Sequence, residues 1–260
     1  MADLIKMDMY RLFRTKVFYV MLGVVTAACF ATNVLAKVLT DLFSKTAEGA
    51  EAAALYPASV DLSDILASPF AFSALFILVF ISLISFTYAD IANGFVKNVA
   101  GQLPHKGDTV ISKFAVILVH NAIFTLFAAL GSAAGEMTVR TVVVDSQTGR
   151  GVITMLAKIL LLQSLSAIIL FVTTGLKSKT FASVAGVIIS TGLLGIVYFG
   201  IETILEKLFK LSVDLSEYAP DQLLTKAGQA AFGNAFIVSA IVSVLFVVLT
   251  VKVFNRRDVK

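Results

Sequence analysis

The sequence predicts an all-α polytopic membrane protein with six transmembrane helices. Of its 260 residues, 58% are hydrophobic and only 15% are charged, whereas soluble domains carry about 25% charged residues. Six stretches without Asp, Glu, Lys or Arg are 18 to 25 residues long, and about 20 apolar residues are enough to cross a bilayer. This composition excludes an ordinary soluble enzyme, a disordered chain and a nucleic-acid-binding domain.

The six predicted spans follow these uncharged stretches, and together they make residues 1–260 a single transmembrane domain. They cover residues 17–38, 69–89, 114–135, 156–176, 180–201 and 231–254. Lys158 borders the shortest stretch, and we expect its long side chain to extend toward the membrane surface. The remaining segments are about 30 residues at most, which is too short for an independent core.

The distribution of basic residues predicts the orientation of the chain. The segments on the side of the two termini hold 13 Lys and Arg residues, and the segments on the other side hold 8. An excess of Lys and Arg marks the cytoplasmic side. Both termini are therefore predicted to be cytoplasmic, with the acidic residues concentrated in the external loops.

Residues 1–16 are predicted to form an amphipathic helix in the plane of the membrane surface. At about 100° per residue, one arc is apolar and consists of Ile5, Met9, Leu12 and Phe13. The opposite arc is mostly polar and consists of Asp3, Tyr10, Arg11 and Arg14. We expect this polar arc to face anionic lipid headgroups. The alternative is a basic anchor with no further role.

Residues 202–230 are predicted to form an amphipathic external hairpin between the fifth and sixth spans. Its first part, residues 201–211, has apolar residues at helical spacing, and Glu206 and Lys210 form an i,i+4 pair. Pro220 interrupts regular structure. A gating role and a plain helical loop are both open.

Residues 90–113 connect the second and third spans on the predicted cytoplasmic side. The pair Asn93–Gly94 predicts a break in the helix, and Gly101 and Pro104 delimit a short helix. Such a short polar helix between two spans is suited to a groove on a cytoplasmic partner. A solvated connector is the alternative.

Several kinds of chemistry are missing from the sequence. One cysteine and two histidines exclude a cysteine-based metal site and a three-histidine centre. Neither HExxH nor GxxxxGK[ST] occurs, so any ATP that drives the protein is bound by another chain. All 17 acidic residues lie outside the uncharged stretches, which argues against proton coupling within the membrane. We predict no catalytic residue, metal site or cofactor in this chain.

Polar residues within the third span are interpreted as structural. His120 and Ser132 are twelve residues apart, about 18 Å along one helix, so they cannot form a catalytic dyad. We predict that His120 with Asn121, and likewise Asn33 and Gln163, make hydrogen bonds between helices.

Two segments of the sequence carry a family resemblance. They are the N-terminal KMDMYRLFRTKVFYV and the turn NGFVKNVAGQ after the second span. With six spans and a hairpin before the last, the chain resembles ABC-2 type transporter permeases over essentially its whole length. The likeness is greatest to the short permeases of bacterial peptide export and immunity systems, and among these to exporters of phenol-soluble-modulin-type peptides.

The resemblance implies roles for both segments. Residues 1–16 would be the connecting helix of the family, with the positions Ile5, Met9, Arg11, Leu12, Phe13 and Arg14. Residues 90–113 would hold the coupling helix, which contacts the ATP-binding subunit, with the positions Asp90, Asn93, Gly94, Lys97, Asn98 and Lys106, closed by Lys113. The family often has an arginine in the glycine-rich stretch after this helix, and residues 103–107 lack one.

The resemblance also implies the function. The chain would be the permease subunit of an exporter in the bacterial cytoplasmic membrane, and not an enzyme by itself. ATP and magnesium would be bound by a separate ATPase subunit, and a second permease protomer, favoured to be identical, would complete the path. The cargo would be an amphipathic peptide or a lipid-like molecule, with no role for nucleic acid. The alternative is an accessory or immunity membrane protein that transports nothing.

Overall fold

The computed structural model describes residues 1–43, 57–70, 73–95, 105–209, 214–225 and 232–256. Its helices are α1 (Ala2–Arg14), α2 (Lys16–Phe43), α3 (Leu62–Ala67), α4 (Phe76–Ala92), α5 (Asp108–Val139), α6 (Thr148–Leu176), α7 (Lys179–Ser190), α8 (Leu194–Phe209), α9 (Pro220–Thr225) and α10 (Phe232–Arg256). Short 3-10 turns cover Ser73–Leu75 and Leu215–Glu217, and the strands are β1 (Ser59–Asp61) and β2 (Thr141–Val143).

The described part confirms a helical chain with several helices fit to cross a membrane. Helices α2, α4 with its preceding turn, α5, α6 and α10 are each long and apolar enough to do so. A sixth span is obtained if α7 and α8 are counted together. Helices α2, α5 and α6 are longer than predicted, because an uncharged stretch delimits only the part of a helix that hydrocarbon can cover.

The fifth predicted span, residues 180–201, is wrong as a single helix. Helix α7 ends at Ser190 and α8 begins at Leu194, with a bend of 75° between the two axes. Gly192 lies at the break with a φ of +73°, a conformation that glycine adopts at little cost. Helix α8 then continues to Phe209, so it also contains the first part of the predicted hairpin 202–230.

Helix α5 packs closely against α2 through two glycines. A Cβ atom added to Gly135 would lie 2.7 Å from the carbonyl oxygen of Phe30, and one added to Gly131 would collide with the carbonyl oxygen of Thr26. Small residues at this spacing allow the backbones of two membrane helices to approach. On its other side, α5 packs against α6, which also contacts α3, α4, α7, α9 and α10.

A small cap of mixed structure covers one end of the bundle, which we call the loop end. Strands β1 and β2 pair in parallel, with Val60 opposite Val142, and α3 packs mainly on α6. Ser63 Oγ donates a hydrogen bond of 2.9 Å to Asp145 Oδ2. The all-α prediction therefore omitted one strand pair, which the β-branched run Thr141–Val144 favours.

Lys158 lies on α6, where its stem packs against the protein and only 8% of the residue is exposed. Its Nζ is not one of the enclosed side-chain nitrogens without a hydrogen-bond partner among the described residues. The extension of this side chain toward the membrane surface stays a prediction. The surrounding buried residues of α6, including Ala157, Leu161 and Leu162, place it on the face that packs against other elements of the protein.

Candidate functional site

Four charged side chains of the described residues converge at the end of the bundle opposite the loop end. They form what we call the charge cluster, which consists of Asp8, Arg11, Asp90 and Lys113. Asp90 belongs to the last turn of α4 and its side chain is completely buried. The side chains of Asp8 and Lys113 are 5% and 11% exposed, so this cluster is largely withdrawn from solvent.

Asp90 is the centre of the charge cluster. Its Oδ1 accepts from a guanidinium nitrogen of Arg11 on α1, and its Oδ2 pairs with Lys113 Nζ on α5. The other terminal nitrogen of Arg11 lies 3.5 Å from Asp8 Oδ1. Ser112 Oγ donates a hydrogen bond of 2.8 Å to Asp8 Oδ2. These links join α1, α4 and α5 in one continuous chain of polar contacts.

Two aromatic rings flank the cations of the charge cluster. The guanidinium carbon of Arg11 lies 3.9 Å from the centroid of the Phe95 ring, and Lys113 Nζ lies 5.4 Å from that of Phe86. Cation–π attraction is stronger where water is excluded. Phe95 lies just after the end of α4, so the Arg11 contact reaches the start of the predicted coupling segment.

The charges of the cluster balance, but burial still affects each group. Burial raises the pKa of the Asp8 carboxyl, and this outweighs the opposing effects of the Ser112 hydrogen bond and the Arg11 charge. Burial likewise lowers the pKa of the Arg11 guanidinium, although the Asp8 carboxylate raises it. An arginine remains charged after such a change, so Asp90 faces permanent positive charge on α1.

The predicted break after the second span is confirmed. The N–H of Asn93 bonds to the carbonyl of Ala89 at 3.0 Å and closes the last turn of α4. Gly94 follows with a φ of +66°. Lys106 lies in the turn before α5, where its carbonyl accepts from Thr109 Oγ1 at 2.8 Å. Two further predicted coupling positions, Lys97 and Asn98, and the predicted short helix up to Pro104 lie outside the described residues.

The predicted N-terminal helix is present as α1, which runs from Ala2 to Arg14 rather than over residues 1–16 and has a different orientation about its axis. Leu12 is fully buried, Ile5 and Met9 pack against the core and Arg14 is exposed, as predicted. Phe13 of the predicted apolar arc is also exposed. The prediction that Arg11 faces lipid headgroups is wrong, because Arg11 turns inward to Asp90.

Sequence reasoning missed Asp8 and Ser112. Asp8 lies three residues after Ile5 and four before Leu12, so it borders the apolar arc, about 40° from Leu12 around the helix. This helical position is a signal that identifies Asp8 as inward-facing. Asp8 was nevertheless not predicted to face inward, because a carboxylate on an amphipathic helix is ordinarily assigned to the solvent side.

A second polar group of residues, which we call the polar network, lies within the bundle. Its members are almost completely buried, and they are Ser82, His120, Asn121, Gln163 and Ser166. Asn121 Nδ2 donates to Gln163 Oε1 and Ser166 Oγ, each at 3.0 Å. His120 contacts Asn121 Oδ1 at 3.2 Å and Ser82 Oγ at 3.1 Å. The prediction of helix-to-helix hydrogen bonds at His120, Asn121 and Gln163 is confirmed.

Asn33 confirms the same prediction at a separate place. Its side-chain amide donates to the carbonyl of Ser132 on α5 at 3.2 Å, as well as to that of Cys29 on its own helix. Ser132 Oγ in turn donates to the carbonyl of Pro69 at 3.1 Å. The Asn33 bond joins α2 to α5, and the Ser132 bond holds the connection before α4 against α5.

The charge cluster can transmit force, since it joins an N-terminal surface helix to two helices of the bundle through one carboxylate. The polar network offers no such path to the surface, because every member is enclosed. No family model and no curated protein matches the chain.

Proposed function

We propose that the chain is the permease subunit of an ATP-binding-cassette exporter of the ABC-2 type. The observation that carries this proposal is the position of Asp90. It begins the segment that resembles the coupling region, and it pairs with Arg11 of the N-terminal helix and Lys113 of α5 at once. A permease moved by a separate ATPase needs a rigid link of this kind between its coupling segment and its helices.

The proposed mechanism starts in a partner ATPase, which binds ATP and magnesium. Closure of the partner pushes on the segment that follows α4. Asp90 carries the displacement to α1 through Arg11 and to α5 through Lys113, so these elements move together. Two permease protomers, in the favoured case identical, rock against each other and open a path between them. The chain performs no chemical step itself.

The proposed cargo is an amphipathic peptide or a lipid-like molecule, moved out through the bacterial cytoplasmic membrane with both termini of the permease inside. Exposed apolar side chains follow α2 and α7, among them Val20, Val24, Phe181 and Val184. Such faces suit an apolar cargo surface or the second protomer better than a small ion. Helix α4 contributes little to them, because Ile81 is its one exposed large hydrophobic residue in the described part.

The test is export coupled to ATP hydrolysis in a reconstituted complex of the permease with its ATPase. Gly94→Pro should uncouple the two, because proline cannot adopt a φ of +66°. The double variant Lys97→Glu/Lys106→Glu reverses two positive charges of residues 90–113 and should also uncouple export from ATP hydrolysis. Lys6→Glu, which reverses an exposed charge on α1, is the control and should not. If ATP hydrolysis and export both stay at wild-type levels in the two variants, the assignment of the coupling segment is wrong.

A non-transporting accessory or immunity protein is the second candidate. The two candidates differ in their partner. A permease copurifies with an ATP-binding subunit in mild detergent, whereas an accessory protein of this kind does not. Stimulation of ATPase activity by a panel of amphipathic peptides and lipids then separates transport from mere association.

A further inference from the structure

The turn that begins α5 lies directly against the last turns of α10. A Cβ atom added to Gly107 would lie 2.8 Å from Cγ1 of Val251, which is too short for a real side chain, and 3.6 Å from Nδ2 of Asn255. Gly107 is buried, and Val251 packs against the core of the bundle. The backbone of the turn therefore touches α10 at a place where a side chain would ordinarily separate two elements.

The closeness of α10, and not the backbone conformation, requires a glycine at this position. Gly107 has a φ of −62° and a ψ of −20°, which are values that any L-residue adopts. Gly94 and Gly192, in contrast, have positive φ values. A methyl group at residue 107 is thus compatible with the turn itself and is opposed by Val251, whose branched side chain has one strongly preferred rotamer in a helix.

The turn is joined to α5 by a continuous set of backbone hydrogen bonds. The carbonyl of Gly107 accepts from the N–H groups of Val110 and Ile111 at 3.0 and 3.2 Å, and that of His105 accepts from Asp108 at 3.1 Å. Bonds of this kind hold the turn and the first turn of α5 together as one unit. A displacement of the end of the coupling segment is therefore felt by α5 and, at Gly107, by α10.

The two ends of residues 90–113 contact different elements of the bundle. At the start, Asp90 pairs with Arg11 of α1 and Lys113 of α5. Near the other end, Gly107 meets α10, which packs along α6. Much of the outer surface of α10 is apolar and exposed, at Ile237, Ile241, Val244, Leu245 and Val248. A helix with such a free side can be displaced without unpacking the core.

We propose that Gly107 is a positioning residue that passes the displacement of the coupling segment to α10, so that the last span moves together with α1 and α5. This role rests on the proposed transport function. The charge cluster acts on α1 and α5, whereas the contact at Gly107 acts on α10. Because no side chain separates the two backbones, the close packing at this point transmits the displacement directly.

The first experiment tests the contact itself, and it needs neither an ATPase nor a cargo. In the full chain with Cys29→Ser, the pair Gly107→Cys/Val251→Cys should form a disulfide on oxidation, since a disulfide requires Cβ atoms about 3.5–4.5 Å apart. The control pair is Gly107→Cys/Val244→Cys, because residue 244 lies about 10 Å further along α10. A first pair that does not cross-link, or that cross-links no better than the control, would overturn the proposal.

The second experiment tests transmission in the reconstituted complex with its ATPase. The readout is the amount of a fluorescent synthetic amphipathic peptide taken up by inside-out vesicles per ATP hydrolysed. Gly107→Ala should lower this ratio about threefold while the complex still assembles. Gly107→Ala/Val251→Ala should restore it, because the smaller residue 251 leaves room for the added methyl group. Gly149→Ala is the control and should change nothing, since a Cβ atom there meets no atom within 4 Å.

The disulfide-linked pair in the same assay shows whether the two elements move together. The oxidised Gly107→Cys/Val251→Cys variant should keep the wild-type ratio. A loss of uptake on oxidation that reduction reverses would mean that α10 moves relative to the turn, and it would overturn the proposal, as would an unchanged ratio in Gly107→Ala. A wild-type complex without ATP-driven uptake would instead contradict the proposed transport function and, with it, this role of Gly107, while the cross-link would still establish the contact.

Discussion

The charge cluster and the polar network both join α4 to α5 through buried polar side chains, but they use different kinds of groups. The charge cluster uses full charges at the end of α4, where Asp90 is neutralised by Arg11 and Lys113. The polar network uses neutral groups around Asn121, inside the uncharged stretch of α5. The comparison shows that charged contacts lie at the end of the bundle, whereas neutral hydrogen bonds lie inside the uncharged stretch, where a charge is more costly to bury.

The two groups should also respond differently to the loss of one member. In the charge cluster, removal of Asp90 leaves Lys113 buried without a carboxylate partner, which is costly. In the polar network, each lost partner leaves only a neutral donor or acceptor. A single neutral imidazole form satisfies His120, whose Nδ1 donates to Asn121 Oδ1 while its Nε2 accepts from Ser82. Hydrogen bonds of this kind between membrane helices contribute about 0.6 kcal/mol on average.

The largest effect is expected for Asp90→Asn. This change leaves Lys113 without a carboxylate partner and Arg11 with Asp8 alone, and it should lower the free energy of unfolding by about 3 kcal/mol. Thermal and denaturant unfolding of the purified full chain measure the loss. The exposed Asp64→Asn on α3 is the control and should change stability little. A loss for Asp90→Asn no greater than that of the control would show that the charge cluster does not stabilise the bundle.

Asn121→Leu should have the next largest effect, through the polar network. It deprives Gln163, Ser166 and His120 of a partner, and the expected loss is about 1 to 2 kcal/mol. A double-mutant cycle with Gln163→Leu isolates the pair, with an expected coupling of about 0.6 kcal/mol. A loss for Asn121→Leu that exceeds the loss for Asp90→Asn would reverse the comparison between the two groups.

Arg11→Lys should have a smaller effect, which tests the geometry of the cluster rather than its charge. A lysine amine keeps the charge but cannot contact Asp8, Asp90 and the Phe95 ring with the planar fork of a guanidinium. The expected loss is about 1 kcal/mol in unfolding free energy. The exposed Arg14→Lys on the same helix is the matched control. Equal values for the two variants would mean that Arg11 acts only through its charge.

Asp8→Asn should have the smallest effect, with a defined dependence on pH. Burial raises the pKa of Asp8 above its usual 3.8, so the folded state favours its protonated form. The contribution of Asp8 to stability is therefore present at low pH and is lost as the pH rises through the folded-state pKa. At neutral pH Asp8→Asn should be more stable than the wild type by less than about 1 kcal/mol.

The pH series supplies the control for this variant. The stability difference between Asp8→Asn and the wild type should shrink as the pH falls toward about 4. The exposed Asp3→Asn on the same helix should show no such trend. A difference that grows as the pH falls would mean that the charge of Arg11, rather than burial, dominates at Asp8.

Much of the helical architecture could be predicted from the distribution of charge alone. A span must lack charge over about 20 residues, so runs such as those now in α5 and α6 are visible in the sequence. The break at Asn93–Gly94 follows from the backbone preferences of these two residues. The interhelical hydrogen bonds of His120, Asn121 and Gln163 were also predictable, because polar side chains in an apolar stretch need partners. Their partners Ser82 and Ser166 were not predicted.

The features that could not be predicted depend on contacts between residues that lie far apart in the sequence. The inward turn of Arg11 is decided by Asp90, which lies 79 residues away, and no local pattern contains that information. The bend between α7 and α8 arises at Gly192, but a glycine within an apolar helix indicates a bend only weakly. The burial of Lys158 depends on elements that pack onto α6, whereas the sequence shows only a lysine beside an uncharged stretch.

The most direct test is the coupling free energy between Arg11 and Asp90, because their pairing joins α1 to the bundle and supports the proposed transport mechanism. A double-mutant cycle with Arg11→Met and Asp90→Asn, read out by unfolding of the full chain, isolates it. The structure predicts a coupling of at least about 1.5 kcal/mol, as expected for a buried charged hydrogen bond. A coupling near zero, with the two single losses simply additive, would contradict the account.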